Sequence, residues 1–237
     1  MPEPRHGLWA YGVLEGDAPQ PRGVRGVDGE HDVELIGHAG LAAAVSHVAL
    51  ERFGPEALEH SLEDLSTLEE IARGHARVLD ELRRTGAVTP FGLCTLFAGA
   101  ASVRDMLARE QAQLSATLRR LRGMAEWGVK AYVTAAGAPP APAPASGAEY
   151  LARRRTARDG AASLGDAVDA VHAQLARRAA RAVRNAGREP RMVLNASYLV
   201  ADDDAGTFSA LVASLSGQDG LALELTGPWP AYHFSAP

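Results

Sequence analysis

Residues Ala135 to Gly147 read AAGAPPAPAPASG, and no other segment constrains the chain as strongly. Its prolines fix φ and lack a backbone N–H, and its alanines and glycines bring almost no side chain to bury. Such a stretch favours an extended, solvated spacer over a packed element. A chain of 237 residues interrupted there is expected to fold as two bodies. The expected division is a first domain at 1–136, a linker at 137–147 and a second domain at 148–237.

Composition narrows the function classes. Hydrophobic residues make up 46% and charged residues 22% of the chain, which suits a water-soluble core-forming protein. A formal net charge of -5 argues against a general nucleic-acid-binding surface. Cys94 is the one cysteine, so an internal disulfide is impossible and a reducing compartment is expected. The opening MPEPRHGLWAYGVLEG has too short an apolar run for a secretory signal, and no run is long enough to span a bilayer. The expectation is a cytoplasmic protein that contacts neither membrane nor nucleic acid.

In the first domain, the apolar run Leu8 to Leu14 between glycines predicts a buried strand. Val33 to Ile36 and Leu41 to Val48, separated by Gly37-His38-Ala39-Gly40, predict a hairpin. Leu65, Leu68, Ala72, His75, Leu79 and Leu82 recur at spacings of three and four, which predicts a helix from Leu65 to Arg84 with one buried stripe. Ala87 to Phe97 reads as strand, turn and strand. A second helix is expected from a capping box at Ser102 and Asp105 to Gly123, and Glu126 to Thr134 as the closing strand. This order predicts an α+β fold, a variant of the ferredoxin-like arrangement.

In the second domain, Glu149 to Asn185 predicts long helices, with Leu164, Val168, Val171 and Leu175 forming a seam. The arginine clusters at 153–158 and 177–184 read as solvated helix surface, because aromatic stacking residues are absent from them. Arg191 to Val200 predicts a strand, Phe208 to Leu215 a helix and Leu221 to Leu225 a strand, so a β-α-β core is expected. Asp202, Asp203 and Asp204 suit a helix start better than a metal site, since consecutive carboxylates there do not converge.

Catalytic signals are missing. The sequence has no G-x-S-x-G, H-E-x-x-H, C-x-x-C or Walker-type loop, and its eight histidines are scattered singly. His75, alone on an apolar stripe, reads as a core residue with one hydrogen-bond partner. No catalytic, cofactor or metal residue is assigned. The segment LTGPWPAYHF, Leu225 to Phe234, stands out instead. Its two prolines hold Trp229 on a stiff backbone that cannot continue as an inner strand.

LWAYGVL, HARVL, VTPFGLCTLF, EWGVKAYV, YLARR, NASYLV and LTGPWPAYHF occur in the order and at about the spacing of the gas vesicle protein F/L family, which the chain resembles over nearly its whole length. The resemblance implies a non-enzymatic accessory protein of gas vesicle formation, cytoplasmic and vesicle-associated. It also implies a ferredoxin-like N-terminal domain and a C-terminal α/β domain. The partners it implies are the small hydrophobic shell protein and other accessory proteins. The family's P-x-R-F-G-T-x-F pattern departs here, with Gly92, Leu93 and Cys94 at the Arg-Phe-Gly positions. A shell protein that is apolar toward gas exposes aggregation-prone surface before assembly, and rigid aromatic side chains are suited to covering it. The candidate partner-contact residues are Trp127, Trp229, Tyr232 and Phe234. The competing reading makes Trp229 a lid on the core. A small-molecule-binding regulatory module is the alternative function, and an enzyme built on His75 a more remote one.

Overall fold

The computed structural model describes residues 6–55, 57, 65–134, 146–187, 189 and 191–235. The chain folds as two compact units, one formed by residues up to Ala125 together with Trp229 onward, the other by Glu126 to Pro228. The linker expected at 137–147 lies mostly outside the described residues, which resume at Ser146.

In the first unit, β1 (His6–Glu15), β2 (Glu34–His38), β3 (Leu41–Ala49) and β4 (Thr89–Pro90) form a sheet in the order β2-β3-β1-β4, and β5 (Leu96–Phe97) also pairs with β1. The β2-β3 connection is the predicted hairpin. Ala39 and Gly40, at φ 50° and 79°, make the two-residue turn whose positive φ values match the twist of the flanking strands. A register irregularity between Ala10 and Gly12 resets the alternation of β1. Trp9, Tyr11 and Leu14 therefore share one core with Val78, Leu79 and Leu82 of α2 (Leu65–Arg83), the short α1 (Leu50–Phe53) adding Phe53. Leu8, Ala10 and Val13 face a second core built with Val103, Met106 and Leu107 of α3 (Ala100–Arg109) and Leu114 and Leu118 of α4 (Gln111–Leu121). The sheet is thus covered on both sides.

The helix expected from Ser102 to Gly123 is two helices, because the backbone turns at Glu110 (φ -103°, ψ 9°). Ser102 lies inside α3 and does not cap it as predicted. Its hydroxyl donates to the Gly99 carbonyl at 2.7 Å and accepts from the Gly99 N–H at 3.3 Å.

In the second unit, β6 (Met124–Val133), α5 (Gly147–Ala176), β7 (Arg181–Arg184), β8 (Met192–Ala201), α6 (Ala205–Leu215) and β9 (Leu221–Trp229) follow in sequence, with sheet order β7-β8-β6-β9. This is the complete β-α-β-β-α-β arrangement. The sequence reading placed β6 in the first domain, as its closing strand, and so left the second with only its β8-α6-β9 portion. β7 was also missed, because Arg181 to Arg184 reads as a continuation of the helix. It instead pairs antiparallel with β8, Arg181 opposite Leu199 and Arg184 opposite Ala196.

The core of this unit gathers Val129 and Ala131 of β6, alternate residues of β8, Phe208, Val212 and Leu215 of α6, and Val168, Val171 and Leu175 of α5. Among the residues whose burial is described, those of α5 that are buried lie in its second half, Val168, Val171 and Leu175. Ser146 caps its start by accepting the Glu149 N–H at 3.1 Å, while Tyr150 and Leu151 are exposed. Asp202, Asp203 and Asp204 form a 3-10 turn leading into α6.

Candidate partner-contact site

The C-terminal tail belongs to the first unit and is held by a few definite contacts. Gly227 has a φ of 119°, which a residue with a Cβ rarely adopts, and the peptide to Pro228 is cis. After Trp229 the chain winds into a 3-10 turn, Tyr232 to Phe234. The Tyr232 N–H donates to the Pro230 carbonyl at 2.8 Å and the Phe234 N–H to the Ala231 carbonyl at 3.2 Å. Arg120 of α4 donates to the Phe234 carbonyl at 3.0 Å. Ala231 and Phe234 are buried at 4% and 0% exposure, so they anchor the tail. Trp229 and Tyr232 are 42% and 39% exposed.

This arrangement separates the four residues singled out from sequence. Phe234 holds the tail from within. Trp229 and Tyr232 stand on the surface of a backbone that is already ordered, and Trp229 does not close the core as the competing reading has it. Trp127 belongs to the second unit, where its ring lies 6.5 Å from that of Phe208. Its indole N–H is buried with no hydrogen-bond partner among the described residues, so Trp127 offers less accessible surface than the two tail aromatics.

His75 has the role its stripe predicts. It is 2% exposed, and its Nδ1 accepts the Trp9 indole N–H at 3.0 Å. The Tyr11 ring stacks on it with centroids 5.3 Å apart. The Tyr11 hydroxyl is bonded in turn to Ser46 Oγ at 2.7 Å and accepts the Val27 N–H at 2.7 Å. Burial pushes the His75 pKa down to about 4, against a smaller opposing effect of the Phe91 backbone, and pushes the Tyr11 phenol up to about 12. Both are neutral near pH 7, and the cluster ties the loop before β2 to the sheet and to α2. A buried, neutral imidazole whose ring neighbours are Trp9 and Tyr11 is placed for packing, with no open side for a substrate.

The comparisons with known proteins decide the family. The family model for gas vesicle synthesis protein GvpL/GvpF matches residues 7–236. The chain belongs to the GvpL/GvpF family. Among relatives, it is 34% identical to gas vesicle protein L of a Streptomyces species, over 92% of this chain and 88% of that protein. It is 27% identical to gas vesicle protein F2 of Halobacterium salinarum, over 96% and 91%. Among solved structures, the crystal structure of gas vesicle protein GvpF from an Anabaena species superposes with a TM-score of 0.74 at 16% identity, covering 98% of both chains. That likeness bears on the fold. No helix among the described residues is long and apolar enough to cross a membrane.

Within the GvpL/GvpF family pattern, the departure at Gly92, Leu93 and Cys94 has a backbone consequence. Cys94 sits at φ 66°, a left-handed conformation that glycine, the pattern's residue here, adopts without penalty. Leu93 beside it is 37% exposed. Sequence reasoning also missed an aromatic residue in the first arginine cluster. Tyr150 lies four residues before Arg154, whose guanidinium carbon is 5.9 Å from the Tyr150 ring centroid. That i,i+4 spacing was the available signal.

Proposed function

We propose that this chain is a non-enzymatic accessory protein of gas vesicle formation that binds the small hydrophobic shell protein and supports vesicle nucleation or assembly. Its place is the cytoplasm and the vesicle surface, with other accessory proteins as further partners. Family membership supports the setting. One observation carries the binding role: Trp229 and Tyr232 are exposed on a tail pinned by buried Ala231 and Phe234. Large aromatic side chains on an ordered backbone cover apolar surface at small entropic cost. An assembly factor of this kind shields the shell protein's apolar face until vesicle growth buries it.

The test is co-expression of the untruncated chain with the shell protein of the same host, scoring shell protein that stays soluble and co-purifies. Retention that is lost when Trp229 and Tyr232 are both changed to alanine, in a variant with unchanged melting temperature, supports the reading. Equal retention with the double variant moves the contact elsewhere, and aggregation as if the shell protein were alone removes direct binding.

A second reading, small-molecule binding, is favoured by an open groove of about 820 Å³ in the first unit, lined by Glu15, Asp17, His38, Arg119 and Arg122 among others. A ligand there would be polar, and a rise in melting temperature with added metabolites is its signature.

A further inference from the structure

Three histidines far apart in the sequence meet on the first sheet. His6 pairs with Ala49 and Leu8 with His47 across β1 and β3, so at a two-residue period His6 and His47 share one face. The ring of His31, from the loop before β2, has its centroid 6.3 Å from that of His6 and 6.2 Å from that of His47. Carboxylates accompany them. Asp28 Oδ2 lies 2.6 Å from His31 Nδ1, and Glu34 Oε1 lies 3.7 Å from His47 Nε2. Donor atoms of Asp28, Glu30 and His31 all fall within 4.8 Å of one another.

We propose that this face binds a divalent transition-metal ion of the zinc class, with the imidazoles of His6, His31 and His47 and the Glu34 carboxylate as ligands and Asp28 as the residue that orients His31. The orienting group is the best-defined part of the site. The Asp28 side chain is 5% exposed, and its Oδ1 accepts the Glu30 and His31 N–H groups at 3.0 and 3.1 Å. With Nδ1–H donating to Asp28 Oδ2 at 2.6 Å, the lone pair of the His31 ring is left on Nε2. A carboxylate behind one ring nitrogen is the arrangement that fixes tautomer and orientation in metal-ligating histidines.

The three rings are within reach of one ion but not yet at ligating distance, since among the described residues the donor atoms that already lie within 4.8 Å of one another are those of Asp28, Glu30 and His31. Four-coordinate zinc at about 2.0 Å from nitrogen sets neighbouring imidazole centroids about 5 Å apart and neighbouring N and O donors about 3.3 Å apart. The 3.7 Å between Glu34 and His47 is longer than a hydrogen bond and close to that donor spacing. The side chains of His31, His47 and Glu34 are 41%, 54% and 51% exposed, so χ rotations are free to draw the rings in by the remaining ångström. Imidazole with carboxylate selects zinc, nickel or copper over magnesium or calcium.

The test uses untagged full-length protein, stripped with chelator, titrated with zinc chloride in a calorimeter and with cobalt(II) in a visible spectrophotometer. The expected result is one ion per chain and a four-coordinate cobalt band. His31→Ala and His47→Ala should each weaken binding at least tenfold, Asp28→Asn by about tenfold, and His38→Ala should leave it unchanged. His47 is an exposed strand position, so its variant keeps the fold, checked by circular dichroism, and its loss of binding reports the site. Absence of uptake at micromolar protein, or uptake that survives the His31→Ala, His47→Ala double change, overturns the proposal.

Discussion

Every residue of β1 from Gly7 to Leu14 is buried, whereas β8 gives its core alternate residues, Leu194, Ala196, Tyr198 and Val200. The first strand lies between two layers of helix. The second presents one face to α5 and α6 and turns Asn195, Ser197 and Leu199 the other way, where Ser197 and Leu199 are also buried and Asn195 is partly open. A strand buried on both faces reads as a continuous apolar run, as GLWAYGVL does over its whole length, whereas LNASYLV carries polar Asn195 and Ser197 between its core-facing residues. Each unit also has a histidine beside a tyrosine. His75 stacks on Tyr11 in full burial, while His172 bonds the Tyr198 hydroxyl at 2.8 Å from a partly open position. Burial lowers the pKa of both, but only His75 is taken down to about 4.

The contrast is broken most directly by truncation. Trp9→Ala should cost about 3–5 kcal/mol and Leu8→Ala, on the opposite face, about 2–5 kcal/mol, so neighbouring positions of β1 are both intolerant in urea denaturation. In β8, Tyr198→Ala should cost about 3–5 kcal/mol but Asn195→Ala less than about 1 kcal/mol. Equal costs at Asn195 and Tyr198 would abolish the distinction between the two sheets.

Acid should act chiefly through the first unit. Between pH 6.5 and 4 the unfolded chain protonates His75 while the folded chain keeps it neutral. The unfolded state therefore binds more protons, and stability falls as pH falls through that window, by about 3 kcal/mol at most. His75→Gln should flatten this part of the stability-pH curve, and His172→Gln should change it far less.

Smaller effects sharpen the picture. Cys94→Gly should be more stable than Cys94→Ala by about 1 kcal/mol, because both lose the thiol and only glycine relieves the positive φ; thermal unfolding of the pair decides it. Smallest in stability is the Trp229→Ala, Tyr232→Ala double change, within about 1 kcal/mol because both side chains are exposed, although shell-protein retention should be lost.

Much of the fold was legible because the signals were local. The run at Leu8 to Leu14, the glycine turn before Leu41 and the stripe through His75 each specify burial within their own element. The candidate site was legible only in part. Two prolines around Trp229 announced a fixed backbone, but exposure depends on where Phe234 finds a pocket, and that lies in contacts with residues more than a hundred positions away. The three histidines carry no common motif, since the β1-β3 register is what brings two of them to one face.

The sequence by itself determined most of the strands and helices, which stripe of each is apolar, and a motif order that resembles the GvpL/GvpF family, since periodicity and motif order are properties of neighbouring residues. The tertiary structure alone decided that β6 joins β8 and β9, that Arg181 to Arg184 is a strand, and that Phe234 is buried while Trp229 is not. Strand partnership and side-chain burial are settled by backbone hydrogen bonds and packing between distant segments, and no local pattern encodes which distant segment will be there.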